Sequence, residues 1–184
     1  MVRIAARLLV PGFCAAFAAM AVSAQACDIA PPPQAAWDGS EKIPGWTVYK
    51  FQPAAPVSGH LLFARIPGET MPDKRRAGRF IESRVRSATS GLFHQRITAA
   101  KVEMVEDKTL QYRNAGTKAF AFVVIVGFGP DSVRASGYLR ENTRARSLSL
   151  QFAVTHPDDV NAAFPLVEQF ASHPGHECGP GDGP

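Results

Sequence analysis

Two groups of residues in this chain have types and spacings that could do chemistry. The first is His173-Pro174-Gly175-His176-Glu177-Cys178, with Asp182 beyond it. Two imidazoles, a carboxylate and a thiolate are the donors that hold zinc or copper. The spacing His-x-x-His-x-Cys is not a recognised ligand frame, however, and the run lies in Gly- and Pro-rich chain. His173 and His176 are therefore expected to be incidental tail histidines, with no metal and no cofactor assigned. The second group is basic: Lys74, Arg75, Arg76, Arg79, Arg84 and Arg86. On a helix, Arg75, Arg79 and Arg86 project from one face and could meet an anionic partner. The competing explanation is an ordinary solvated surface, partly neutralised by Glu82.

Nucleophilic catalysis finds no motif. There is no Gly-x-Ser-x-Gly elbow and no Ser-x-x-Lys. His60, His94 and His156 have no partner at a fixed spacing that would make them bases. Asp158-Asp159 resembles a carboxylate pair, but a helix N-terminus accounts for both acids. Gly127-Phe128-Gly129-Pro130 lacks the following helix that a phosphate-cradling loop requires.

Three cysteines set the compartment. Arg3 and Arg7 precede an uncharged run over 8–22, and Ala24-Gln25-Ala26 places small residues at −3 and −1 of a cut before Cys27. Basic start, apolar middle and Ala-x-Ala end make a secretory signal over 1–26. The uncharged run is shorter than the roughly 20 residues of a spanning helix. Cleavage removes Cys14 and leaves Cys27 and Cys178, an even pair in an oxidising compartment, so a Cys27–Cys178 disulfide is expected. Lipidation of Cys27 is the alternative. It fits less well, because Ala24 and Gln25 stand where a lipoprotein signal usually carries Leu and a small residue. The mature chain is expected in the periplasm or outside the cell, without a membrane span.

Removing 1–26 leaves 158 residues, one ordinary domain. Net charge falls from +4 to +2 as Arg3 and Arg7 leave. That balance is not one of a nucleic-acid-binding protein. Residues 27–45 are Pro-rich and read as an irregular arm, pinned at its end by Trp37 and Trp46. Alternation over 46–51 and 60–66 predicts two strands. Apolar residues Ala77, Ile81, Val85, Ala88 and Leu92 predict a helix over 72–91, capped by Asp73. Residues 97–105 and 109–113 read as two strands around Glu106-Asp107-Lys108, and 114–117 as a turn. The apolar run 119–128 predicts a central strand covered on both faces. Strands over 133–140 and 146–155 follow. Pro157 opens a closing helix with stripe Val160, Ala163, Phe164, Val167 and Phe170, and Pro165 should kink or split it near Asn161–Pro165. Residues 174–184 read as a flexible tail beyond a domain spanning 46–173. The sum is an α+β fold: a largely antiparallel sheet of about six or seven strands under two amphipathic helices, an α/β/α-type sandwich.

The strand Leu148-Ser149-Leu150-Gln151-Phe152-Ala153-Val154 leads into His156-Pro157-Asp158-Asp159, then into Ala163-Phe164-Pro165-Leu166-Val167-Glu168-Gln169-Phe170. This ending, with the element order over 46–172, resembles the PsbP-like superfamily, including its DcrB-type exported members. The resemblance implies the sandwich fold and accessory or binding roles, with no catalytic residue to carry over. The functional expectation is an exported accessory or binding protein of a bacterial-type envelope. Its partner would be an unknown envelope protein or an anionic surface, with no nucleic acid. The rival is a small periplasmic hydrolase or a metal-binding protein using the C-terminal His/Cys cluster.

Overall fold

The computed structural model describes residues 29, 31–37, 43–112 and 115–178. Residues 1–26, expected to be a secretory signal, and Cys27 lie outside them. Seven strands form one fully antiparallel sheet: β1 (Ala35–Trp37), β2 (Thr47–Phe51), β3 (Gly59–Pro67), β4 (Ala99–Tyr112), β5 (Ala115–Phe128), β6 (Asp131–Asn142) and β7 (Ser147–Thr155). Their order is β1-β2-β3-β7-β6-β5-β4. Helix α1 (Lys74–Phe93) carries the chain from central β3 to the far edge at β4, and hairpins then return it to β7 beside β3. Helix α2 (Val160–Ala171) closes the fold, followed by a short 3-10 turn at Pro174–Glu177.

The two helices cover opposite faces, so the α+β sandwich expected from the sequence is present. Ala77, Ile81, Val85, Ala88 and Leu92 of α1 pack with Phe122, Val124, Leu150 and Phe152. Ala163, Leu166, Val167 and Phe170 of α2 pack with Tyr49, Leu61, Tyr138 and Ala153. Alternate residues of β5 enter the two cores, which is the two-sided burial predicted for that apolar run. Asp73 caps α1 as expected, its carboxylate accepting from the Arg76 amide at 2.9 Å. Gly129-Pro130 joins β5 to β6, with Phe128 opposite Asp131. The Gly129 φ of +66° and the fixed φ of proline suit a type II′ hairpin.

Five local expectations are corrected. The Pro-rich arm is not wholly irregular, because Ala35–Trp37 adds a strand to β2. Three residues are too few to show alternation; this strand exists because β2 offers an unpaired edge. The predicted strands at 97–105 and 109–113 are one strand, and Glu106-Asp107-Lys108 pairs with Ala121, Phe120 and Ala119. An edge strand tolerates such charges because one side stays in water. Residues 115–117 likewise continue β5. Pro165 sits inside an unbroken α2, and the discontinuity falls earlier, where the 3-10 turn Pro157–Asp159 meets Val160. Pro165 and Asn161 both face solvent, so the carbonyl that loses its helical donor can be hydrated. Finally, Pro174–Glu177 is folded against the body, with His176 fully buried.

Strand β7 shows why. Its two faces alternate as the sequence predicts, yet all nine residues are buried. The polar phase, Ser147, Ser149, Gln151 and Thr155, lies on the α2 side, under α2 and the C-terminal segment.

Candidate functional site

Two arrangements of polar side chains stand out, one on each face. The first holds the C-terminal segment. Ser149 pairs in register with Arg65 of β3 and with Arg140 of β6, so the three side chains form one cross-strand row. Arg65 donates to the carbonyls of Cys178 at 2.7 Å, Gly175 at 3.1 Å and His176 at 3.4 Å. Arg140 donates to the carbonyls of Ala171 at 2.9 Å and His173 at 2.8 Å, and to Glu177 Oε1 at 2.8 Å. Glu177 Oε2 accepts from the Arg144 amide at 3.1 Å. Arg140 is only 3% exposed. Burial works to lower its pKa, and the Glu177 carboxylate opposes that by stabilising the charge.

This arrangement decides what the sequence-predicted histidines do. His176 lies edge-on to Phe63 and Phe170, and its Nε2 bonds to the Phe170 carbonyl at 3.0 Å. Burial, with the positive Arg140 nearby, drives its pKa down to about 3, so the ring is neutral. His173 Nδ1 accepts from the Gly175 amide at 3.1 Å. Burial and Arg140 lower its pKa as well. His173 thus serves the backbone of its own turn and His176 that of α2, and among the described residues no three His, Cys, Asp or Glu side chains converge on a metal position. Asp182 and Cys27 lie outside the described residues. No sequence motif marks Arg65 or Arg140. Their only signal is phase: each shares its strand face with inward residues, Leu61 and Phe63 for Arg65, Tyr138 for Arg140.

The second arrangement is the outer face of α1. Arg75, Arg79 and Arg86 are all exposed, as the sequence predicts. At 100° per residue they fall with Ser83 and Ser90 inside about 80° of the helix circumference, opposite the buried stripe. The other basic residues of α1 differ in their neighbours. Arg76 closes on Asp73 at 3.2 Å, and Arg84 lies over the Phe80 ring at 5.4 Å. For Arg75, Arg79 and Arg86 no carboxylate partner occurs among the described residues. Six basic residues against Glu82 alone give α1 a formal charge of +5. Residues 27–184 sum to +2, so the remainder of that chain carries −3. Near the C-terminal end of α1, Ser83, Arg86, Ser87 and Ser90 line one side of an open groove of about 560 Å³, and Arg96 lines it from the following loop.

The remaining candidates do not assemble. His94 is the exposed left-handed residue that ends α1. His156 caps the 3-10 turn, its Nδ1 accepting from the Asp158 amide at 3.4 Å. Asp158 and Asp159 occupy the first turn there, the structural role expected of them. Near α2, Glu168 accepts from the Tyr138 hydroxyl at 2.7 Å and faces Lys108 at 3.6 Å. Burial, then this hydrogen bond, raises the Tyr138 pKa, so the phenol stays protonated. Among the described residues no helix is long and apolar enough to cross a membrane. Comparison of the chain with protein-family models and with curated proteins finds no match.

Proposed function

We propose that this chain is an exported binding domain of a bacterial-type cell envelope, and that it docks on an anionic surface through the outer face of α1. The observation that carries this reading is the ribbon Arg75, Arg79, Arg86: exposed, on one helical stripe, without carboxylate partners among the described residues. At physiological salt the Debye length is about 8 Å, so the −3 on the rest of the chain does little to cancel the ribbon. A basic face near an anionic membrane gains about 1 kcal/mol per arginine, enough in sum for reversible attachment.

Export is part of the proposal and rests on the 1–26 segment with its Ala24-Gln25-Ala26 end. A Cys27–Cys178 disulfide is part of it too, supported by the even cysteine count after cleavage and by the two arginines that hold residues 171–178. The PsbP-like resemblance, with its accessory and binding roles, belongs to the same reading.

The test is flotation of the mature protein with vesicles. Binding is expected to anionic vesicles and not to zwitterionic ones, and to weaken as salt rises. Arg75→Glu with Arg79→Glu should abolish it without unfolding the protein. Absent or salt-insensitive binding overturns the proposal.

A further inference from the structure

The geometry points to a headgroup site for phosphate-bearing lipids in the groove between α1 and Arg96, an inference that rests on the docking reading above. The groove has the donors that phosphate recognition needs. Arg86 lines it from the helix, Arg96 from the loop, and Ser83, Ser87 and Ser90 along one wall. Guanidinium binds phosphate oxygens in pairs, and hydroxyls add single donors around them. A carboxylate can use the same charge but has two oxygens, so it satisfies fewer of these groups at once. Ser90 already donates to the Gln95 carbonyl at 2.8 Å, which leaves Ser83, Ser87 and the two arginines as the main donors.

The occupant is a lipid headgroup because of what surrounds the groove. Arg75 and Arg79 continue the same stripe toward the helix start, about 16 Å of charge from Arg75 to Arg86. One small anion would occupy only the groove. A sheet of headgroups engages the groove and the stripe together. Arg75 and Arg79 then supply attraction that ignores headgroup chemistry, and Arg86 with Arg96 supplies preference for phosphate.

Three vesicle preparations test this: phosphatidylcholine alone, phosphatidylcholine with phosphatidic acid, and phosphatidylcholine with oleate at matched surface charge. The mature protein is expected to bind the phosphatidic acid vesicles about 10-fold more tightly than the oleate vesicles. Arg86→Lys with Arg96→Lys keeps the charge, and should lose that preference while still binding both anionic vesicles. Arg75→Ala with Arg79→Ala should weaken both by the same factor. All four positions are exposed, and an unchanged circular dichroism melt confirms that each variant is folded. Equal affinity of the unmodified protein for phosphatidic acid and oleate vesicles overturns the headgroup site and leaves the docking reading standing. No binding to either anionic preparation overturns both. Saturable binding of inorganic phosphate that releases the protein from vesicles overturns the lipid assignment in favour of a soluble phosphate.

Discussion

Arg65 and Arg140 flank Ser149 from the two strands on either side of it, and together they hold five carbonyls and one carboxylate of residues 171–178. A segment rich in glycine and proline has little reason to fold by itself. Here it is ordered by two guanidiniums that the sheet presents side by side. The contacts are charge-assisted and partly desolvated, the regime in which hydrogen bonds contribute most.

Removing one partner from such a buried pair should cost far more than weakening the other. Arg140→Met leaves the Ala171 and His173 carbonyls without their donor and is expected to cost about 3 kcal/mol or more. Glu177 is more exposed and keeps an acceptor oxygen in Glu177→Gln, so that change should cost about 1 kcal/mol or less. Urea denaturation measures both. Equal small losses would show that the segment is not clamped.

His176 makes the fold sensitive to acid. Its folded pKa of about 3 lies below the ordinary 6.5, so the unfolded chain binds more protons between these values. Stability is complete above about pH 6.5 and falls as pH is lowered through that window. From pH 7 to pH 5 the loss should be about 2 kcal/mol from this ring, with a smaller contribution of the same sign from His173. His176→Gln should flatten most of the slope while lowering stability at pH 7. An unchanged slope in that variant would refute the assignment.

Gly137 is required by the packing of β6 against β7. A Cβ there would stand 2.6 Å from the Phe152 Cα and closer still to the Gln151 carbonyl oxygen. Gly137→Ala should therefore cost about 3 kcal/mol or more, or prevent folding. Gly78→Ala is the control, since its Cβ would meet only the Val105 side chain at 3.9 Å, and it should be neutral or stabilising. A thermal melt of each variant decides between these outcomes.

The proposed Cys27–Cys178 disulfide has a direct readout. Intact mass of the mature protein should rise by about two daltons on reduction, one hydrogen per sulfur. Reduction should also lower stability, by as much as about 5 kcal/mol in the chain-entropy account of so long a loop. An acyl adduct on Cys27 would remove the pairing altogether.

The fold class was legible in the sequence where the pattern is local. The α1 stripe from Ala77 to Leu92 repeats at helical spacing, the Asp73 cap is adjacent to it, and β5 announces itself by a long apolar run. The arginine face of α1 follows from the same periodicity, since residues opposite a buried stripe must be exposed. Strand edges were less legible. β1 has no pattern of its own, and the charges at 106–108 look like a turn until β5 is seen to pair with them. These two errors offset each other in the strand count.

What the sequence by itself determined is periodicity: which residues share a face, and hence two helices over an antiparallel sheet and a basic stripe on one of them. What only the tertiary structure decided is which distant faces meet. Arg65, Ser149 and Arg140 are scattered along the chain, and nothing local aligns them. Register between β3, β7 and β6 does, because each strand must bury its apolar phase and a one-residue slip would expose it. That alignment turned a tail into a buried turn and gave its histidines to the backbone.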